Sequence, residues 1–352
     1  MVNKIFTGLV AAGIPLSIAG KFLHWDKGLM FVIYCLTIIA LSSFMGRATE
    51  SLAIISGPRI GGLLNATFGN AVELIISIFS LQAGLVGVVL ASLTGSVLGN
   101  LLLVGGLSFF IGGLKHKRQS FNVYDARHNS ALLIFAVVVA FVIPEVFSMS
   151  MTKAQTLHLS VGISIILIVL YLAALLFKLV THRGAYNVPG DTAGHEEETP
   201  EWSKAKAITV LALSTLAVAF VSEALVHTFN HIGETLGWTE LFIGVIIVAI
   251  VGNAAEHASA IIMAYKNKMG VAVEIAVGST LQVAMFVAPL LVLVSLFLPH
   301  SMPLVFSVPE LVAMIAAVFL TISISNDGDS NWFEGATLLA AYFIMAIGFY
   351  LL

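Results

Sequence analysis

Apolar residues in this chain come in long unbroken runs, and polar residues are largely confined to the gaps between them. Eleven such runs lie at approximately 4–22, 27–46, 62–82, 84–113, 129–148, 156–180, 205–230, 240–265, 270–298, 303–324 and 333–352. A bilayer's hydrocarbon core is about 30 Å thick and a helix rises about 1.5 Å per residue, so most runs match one crossing. Continuous runs lack the two-residue alternation of a β-barrel. The pattern predicts an all-α polytopic membrane protein with about eleven transmembrane helices. Run 84–113 is long and carries several glycines, where a tilt or break is expected.

The runs repeat. Gly69-Asn70-Ala71-Val72-Glu73 lies in the third, and Gly252-Asn253-Ala254-Ala255-Glu256 lies in the eighth, 183 positions later. Gly95-Ser96 and Gly278-Ser279 keep the same offset. Five spans separate the two copies, and an odd separation makes them cross the membrane in opposite directions. Spans two to six and seven to eleven therefore form two inverted five-helix repeats, with span one as an addition. The expected boundaries are 1–25 for the extra helix, 26–180 and 205–352 for the repeats, and 181–204 for a linker. Transporters built this way hold their substrate near the midplane, where the repeats meet.

Charge sets the orientation. With the N-terminus in the cytoplasm, all 16 lysines and arginines except Lys21, Lys27 and Lys153 fall on the inner side. The C-terminus is then outside. Residues 1–20 resemble a signal peptide, yet the run continues without a small-residue cleavage site, so a retained first helix is expected. The linker carries Glu196, Glu197 and Glu198; it reads as a solvated connector, with a cation-sensing strip as the minor alternative.

Composition agrees with the pattern. Hydrophobic residues make up 59% of the chain and charged residues 10%, and the mean hydropathy is +1.02, far from the quarter-charged makeup of soluble domains. A net charge of -3 without a basic tail gives no reason to expect nucleic acid. Cys35 is the single cysteine, so no intramolecular disulfide can form and packing is its expected role.

An ionisable residue inside a membrane span costs several kcal/mol unless paired, hydrated or neutralised, so Glu73 and Glu256 are functional candidates. Asn70 and Glu73 are three apart and share a helix face, as do Asn253 and Glu256. Gly69 and Gly252 stand one turn earlier, where close helix approach or unwinding is expected. Ser92, Ser96 and Asn100 recur every four residues in span four, and Ser279 and Gln282 are three apart in span nine. Facing repeats would combine two carboxylates with amide, hydroxyl and backbone oxygens. That donor set suits a hard cation, and calcium takes six to eight oxygens in flexible geometry. Interhelical hydrogen bonding accounts for any one of Ser92, Ser96 or Asn100 equally well, but gives no reason for carboxylates at matching positions. No cysteine pair or His-Glu-x-x-His pattern supports a softer metal, and no enzyme signature or resident cofactor is indicated.

The remaining polar positions are accessory. His257 points about 100° away from Glu256 on an ideal helix; tuning the carboxylate, serving a proton path and capping a polar interface stay open. Glu50 and Glu223 occupy matching ends of the first helix of each repeat, where gating and simple interfacial placement both fit. Glu274 begins span nine, at an ion entrance or at the membrane surface.

At these residues the chain resembles the calcium/proton exchangers (CAX) of the calcium/cation antiporter superfamily, nearest to their compact bacterial members. Residues 62–75, containing Asn65-Ala66-Thr67-Phe68-Gly69-Asn70-Ala71-Val72-Glu73, are similar to the first repeat motif of that family. Gly252-Asn253-Ala254-Ala255-Glu256-His257-Ala258 with Gly278-Ser279-Thr280-Leu281-Gln282 is similar to the second. The resemblance implies Ca2+/H+ antiport in a bacterial cell membrane, with Glu73 and Glu256 binding calcium and protons in turn and His257 affecting cation handling. It also points to a homotrimer. Two rivals remain: a sodium/calcium exchanger, whose motif acids usually follow a proline where Val72 and Ala255 stand here, and a passive cation channel.

Overall fold

A computed structural model describes residues 2–181 and 199–352. The acidic run Glu196 to Glu198 lies outside the described residues. The described residues are helical almost throughout. In chain order the helices are α1 (Val2–Phe22), α2 (Lys27–Phe68), α3 (Ala71–Gln82), α4 (Val86–His116), α5 (Arg127–Ser148), α6 (Lys153–Thr181), α7 (Lys204–Val226), the short α8 (Phe229–Leu236), α9 (Glu240–Tyr265), α10 (Met269–Ser295), α11 (Val308–Ser325) and α12 (Trp332–Leu351). Among the described residues, ten helices are long and apolar enough to cross a membrane. Local chemistry sets several boundaries. Thr152 closes a capping box with Gln155 ahead of α6, Ser307 does so with Glu310 ahead of α11, and Asn331 does so with Glu334 ahead of α12.

The second and third apolar runs fold differently from their expected boundaries. The helix begun at Lys27 does not end near residue 46 but continues to Gly57, whose φ of 78° breaks it ahead of Pro58. At about 1.5 Å per residue, the 31 residues from Lys27 to Gly57 exceed a bilayer core by several turns. The last part therefore projects past it and carries Glu50 with it. The third run is split: residues 58–68 are helical, the helix breaks at Gly69 and Asn70, and α3 continues from Ala71. The equivalent residues Gly252 and Asn253 lie inside the unbroken α9. Unwinding thus occurs in the first repeat and not in the second.

Two hydrophobic bodies pack against each other. One joins α2, α7 and α8 through Met30, Tyr34, Ile38, Leu41, Val218 and Phe229. The other gathers α4, α5, α10, α11 and α12 around Leu101, Phe141, Val287, Met314 and Tyr342. Val72 and Ile76 of α3 and Val251 of α9 belong to the first body, and Ala260 of α9 to the second, so the motif helices run between them. A two-residue antiparallel ribbon, β1 (Gln119–Ser120) with β2 (Asp329–Ser330), ties the loop after α4 to the loop before α12, reinforced by an Arg118–Asp329 ion pair. A second clasp joins α2 to the start of α7: Arg47 Nε donates to Glu201 at 2.8 Å, and its guanidinium lies 4.7 Å from the centre of the Trp202 ring.

Candidate functional site

α3 and α9 cross so that the glycine of each motif packs against the glutamate of the other. A side chain added at Gly69 would start 3.1 Å from Glu256 Oε1, and one at Gly252 would start 3.5 Å from Glu73 Cβ. The small residues let the two backbones close around the carboxylates.

Each carboxylate is gripped by the serine 23 positions after it. Ser96 Oγ of α4 donates to Glu73 Oε1 at 2.5 Å, and Ser279 Oγ of α10 donates to Glu256 Oε2. The amides then stitch the repeats together. Asn253 Nδ2 donates to Ser96 Oγ at 3.0 Å, and Asn70 Nδ2 donates to Gln282 Oε1 at 2.7 Å. His257 Nε2 and Asn100 Oδ1 lie 3.2 Å apart. Nine of the residues nominated from sequence thus lie in these inter-helix contacts: Asn70, Glu73, Ser96, Asn100, Asn253, Glu256, His257, Ser279 and Gln282. His257 faces Asn100 and makes no bond to Glu256.

The others lie elsewhere. Ser92 Oγ back-bonds to Val89 O at 2.8 Å and contacts neither carboxylate. Glu223 is ion-paired with Lys21 at 3.3 Å, Glu274 is ion-paired with Lys178, and Glu50 is exposed on the projecting end of α2. Sequence inspection passed over Glu310, a buried carboxylate that accepts from Thr94 Oγ1 of α4 at 3.2 Å. Its Ser307-x-x-Glu310 capping signature would have flagged it.

Glu73 is fully buried, yet its Oε2 has no hydrogen-bond partner, and neither has the buried Asn70 Oδ1. Orphaned acceptors are costly in an apolar interior unless a cation or donor meets them. Among the described residues no three of His, Cys, Asp and Glu converge on a metal-sized point. An ion held here must take part of its shell from amide and hydroxyl oxygens, as hard cations do.

The two sides of the site are unequal. On one side, a Cβ on Gly95 would fall 2.1 Å from Val245 O and 2.7 Å from Ala249 Cβ, so α4 and α9 meet backbone to backbone. Gly244 answers from α9, its added Cβ 2.5 Å from Val88 O. By the repeat offset, the matching contact would bring Gly278 of α10 against the helical segment around Gly62. It is not made: Gly278 has nothing within 4 Å, while Gly62 packs on Leu179. Glu73, Ser96, Asn70 and Asn253 are accordingly buried, and Glu256, Gln282 and Gly278 only half-buried. One side is sealed and the other is open.

Comparison with known proteins agrees with this geometry. A family model described as sodium/calcium exchanger protein matches residues 27–180 and 206–351. The chain belongs to the sodium/calcium exchanger protein family. Within that family it falls in the calcium/proton exchanger branch. It is 72% identical over 351 residues, with 100% of each chain covered, to the Ca2+/H+ antiporter ChaA of Bacillus subtilis (strain 168). The solved structure of native YfkE matches with a TM-score of 0.88 at 67% identity, covering 99% of this chain and 100% of that one. The H+/Ca2+ exchanger CAX matches with a TM-score of 0.74 at 15% identity, over 100% of this chain and 93% of that one, which establishes likeness of fold alone.

Proposed function

We propose that this protein is an integral membrane antiporter, in a bacterial membrane, that exports Ca2+ from the cytoplasm in exchange for H+. The observation that carries the reading is the pair of glutamates, Glu73 buried and Glu256 half-buried, each held by a serine at the same offset in its own repeat, with unpartnered oxygens on Glu73 and Asn70. The 72% identical relative supports it, being named a Ca2+/H+ antiporter.

Glu73 and Glu256 are the groups that take the ion, with Asn70, Asn253, Ser96, Ser279 and Gln282 placing oxygens around it. Two bare carboxylates in a low-dielectric site are prohibitively costly. The helices therefore rearrange only when the pair is neutralised, either by one Ca2+ or by protons. An empty, charged return is forbidden, so calcium leaving one side must be replaced by protons from the other, about two per ion if no other group takes part. His257 acts through Asn100 on the arrangement of α9 and α4.

The unequal sides give the state. With the N-terminus in the cytoplasm, as the lysine and arginine distribution favours, the Gly95–Val245 seam lies on the outer half and Gly278 on the inner half. The protein is then inward-open. Exchanging the roles of the repeats, so that Gly278 closes on the Gly62 segment while the outer seam parts, produces the outward-open state.

Reconstituted protein tests the function. A Ca2+ gradient across a proteoliposome should drive H+ the opposite way without Na+. Ca2+ flux that requires Na+ would make the protein a sodium/calcium exchanger, and Ca2+ flux with no counter-ion would make it a channel.

A further inference from the structure

Hydroxyls in membrane helices ordinarily bond back to the carbonyl one turn earlier, as Ser160 does to Thr156 O at 2.8 Å and Thr280 to Ala276 O at 2.9 Å. Ser108 of α4 and Thr321 of α11 depart from this. Both side chains are buried, 1% and 7% exposed, and neither hydroxyl has a partner. Both line one small cavity of about 10 Å³, together with Ser325, Leu101 and Gly105. That volume is about the least that holds one water molecule. Leaving two buried hydroxyls unmet costs about 1–3 kcal/mol each, whereas immobilising a water costs about 0–2 kcal/mol.

Polar residues follow the cavity's lining along the chain at both ends. At one end, Leu101 adjoins Asn100, whose Nδ2 is buried without a partner and whose Oδ1 faces His257 next to Glu256. The π-helical turn Gly99–Val104 interrupts the regular backbone ladder of α4 there. At the other end, Ser325 closes α11 and is followed by the exposed Asn326 and Asp327, beside the Arg118–Asp329 pair. The cavity also lies on the far side of α10 from the open seam. Ala276 lines it, and Gly278 is about 200° round the helix from Ala276.

We propose that Ser108, Thr321 and Ser325 bind water and form the inner leg of a proton path to the Asn100 end of the carboxylate site, separate from the route by which the cation enters. The proposal rests on the Ca2+/H+ antiport reading. A proton moves along such a path by transfer between water and hydroxyl oxygens, with no group consumed. Asn100 holds the water nearest the site in place and carries no proton.

Two exchange modes separate this path from a packing role. Ca2+/H+ exchange needs protons to reach the site, whereas Ca2+/Ca2+ exchange shuttles the loaded protein alone. In proteoliposomes, Ser108→Ala and Thr321→Val, singly and together, should slow Ca2+/H+ exchange by about fivefold or more, the worth of one lost hydrogen-bonded link. Ca2+/Ca2+ exchange should keep its wild-type rate, and Thr321→Ser should keep both. Variants that leave Ca2+/H+ exchange at the wild-type rate overturn the path. Variants that slow both modes together also overturn it, marking these residues as packing. A wild-type protein that exchanges Ca2+ for Ca2+ but moves no protons would instead overturn the antiport reading.

Discussion

Adding one methyl group on either side of the site should push the protein in opposite directions. In Gly95→Ala the new Cβ meets Val245 O at 2.1 Å, Val245 C at 2.6 Å and Ala249 Cβ at 2.7 Å. Two of these three atoms are backbone, which no rotamer change can move aside, so α4 and α9 must separate by about an ångström. Overpacking of this kind costs about 1–3 kcal/mol. The cost falls on the sealed state alone, so the balance shifts toward the state in which this seam is parted by about 5- to 150-fold. Gly278→Ala meets nothing within 4 Å here, but it obstructs the alternate closure and holds the protein in the observed state. The assay is labelling of a cysteine substituted for Ser92, which is fully buried beside the seam, in a Cys35→Ala background, by a membrane-impermeant thiol reagent added outside. Gly95→Ala should speed the labelling by at least fivefold, and Gly278→Ala should leave it slow while reducing transport. If Gly95→Ala leaves position 92 as protected as in the parent, the seam is not the outer gate.

Three further outcomes are expected. Glu73→Gln and Glu256→Gln should each abolish Ca2+ exchange while the protein still folds, since removing one partner from a buried charge site costs about 3–5 kcal/mol and so ~100-fold or more in affinity; robust uptake by either variant refutes the shared site. Single cysteines at positions 117 and 197 should label only from the cytoplasmic side and one at position 300 only from outside; the reverse would invert the topology. The Arg47 hydrogen bond, helped by the positive charges of Arg47 and Lys206, outweighs burial and holds the Glu201 carboxyl below the usual glutamate range. Its stabilisation is therefore fully present above the unfolded value of about 4.3 and lost as pH falls through the depressed folded one. The melting temperature should drop on acidification through that window, by less in Glu201→Gln; equal drops would remove the clasp from the account of stability.

Much of the site was legible because the chain states it twice. The 183-residue offset pairs Glu73 with Glu256 and Ser96 with Ser279, and the structure places each serine on its own glutamate. The cross-repeat bonds from Asn70 to Gln282 and from His257 to Asn100 have no counterpart at the equivalent positions, Gly99 on one side and Leu74 and Val283 on the other, so internal symmetry could not reveal those pairings. Helix boundaries misled where hydropathy alone was followed. Gly57-Pro58 is a breaker dipeptide, but residues 47–61 are polar enough to resemble a loop, and the helix runs through most of them. Glu50, Glu223 and Glu274 show why polarity on a helix does not give direction: each lies near a helix end, Glu50 and Glu274 exposed and Glu223 half-buried, and Glu223 and Glu274 meet lysines there. The two-residue ribbon at Gln119 and Asp329 is too short to leave any alternating pattern.

The glycine seam also bears on speed. Where α4 meets α9, the touching surfaces are largely backbone, with Gly95, Gly244, Ala91 and Ala249 at the contact. Glycine and alanine have no rotamers to freeze, whereas ordering a leucine or isoleucine costs about 0.5–1 kcal/mol. A seam of branched side chains would have to find one interlocking arrangement at every closure. This one has a single way to shut. Closure should carry little entropic barrier, and the seam can part and reseal once per transported ion without side-chain repacking.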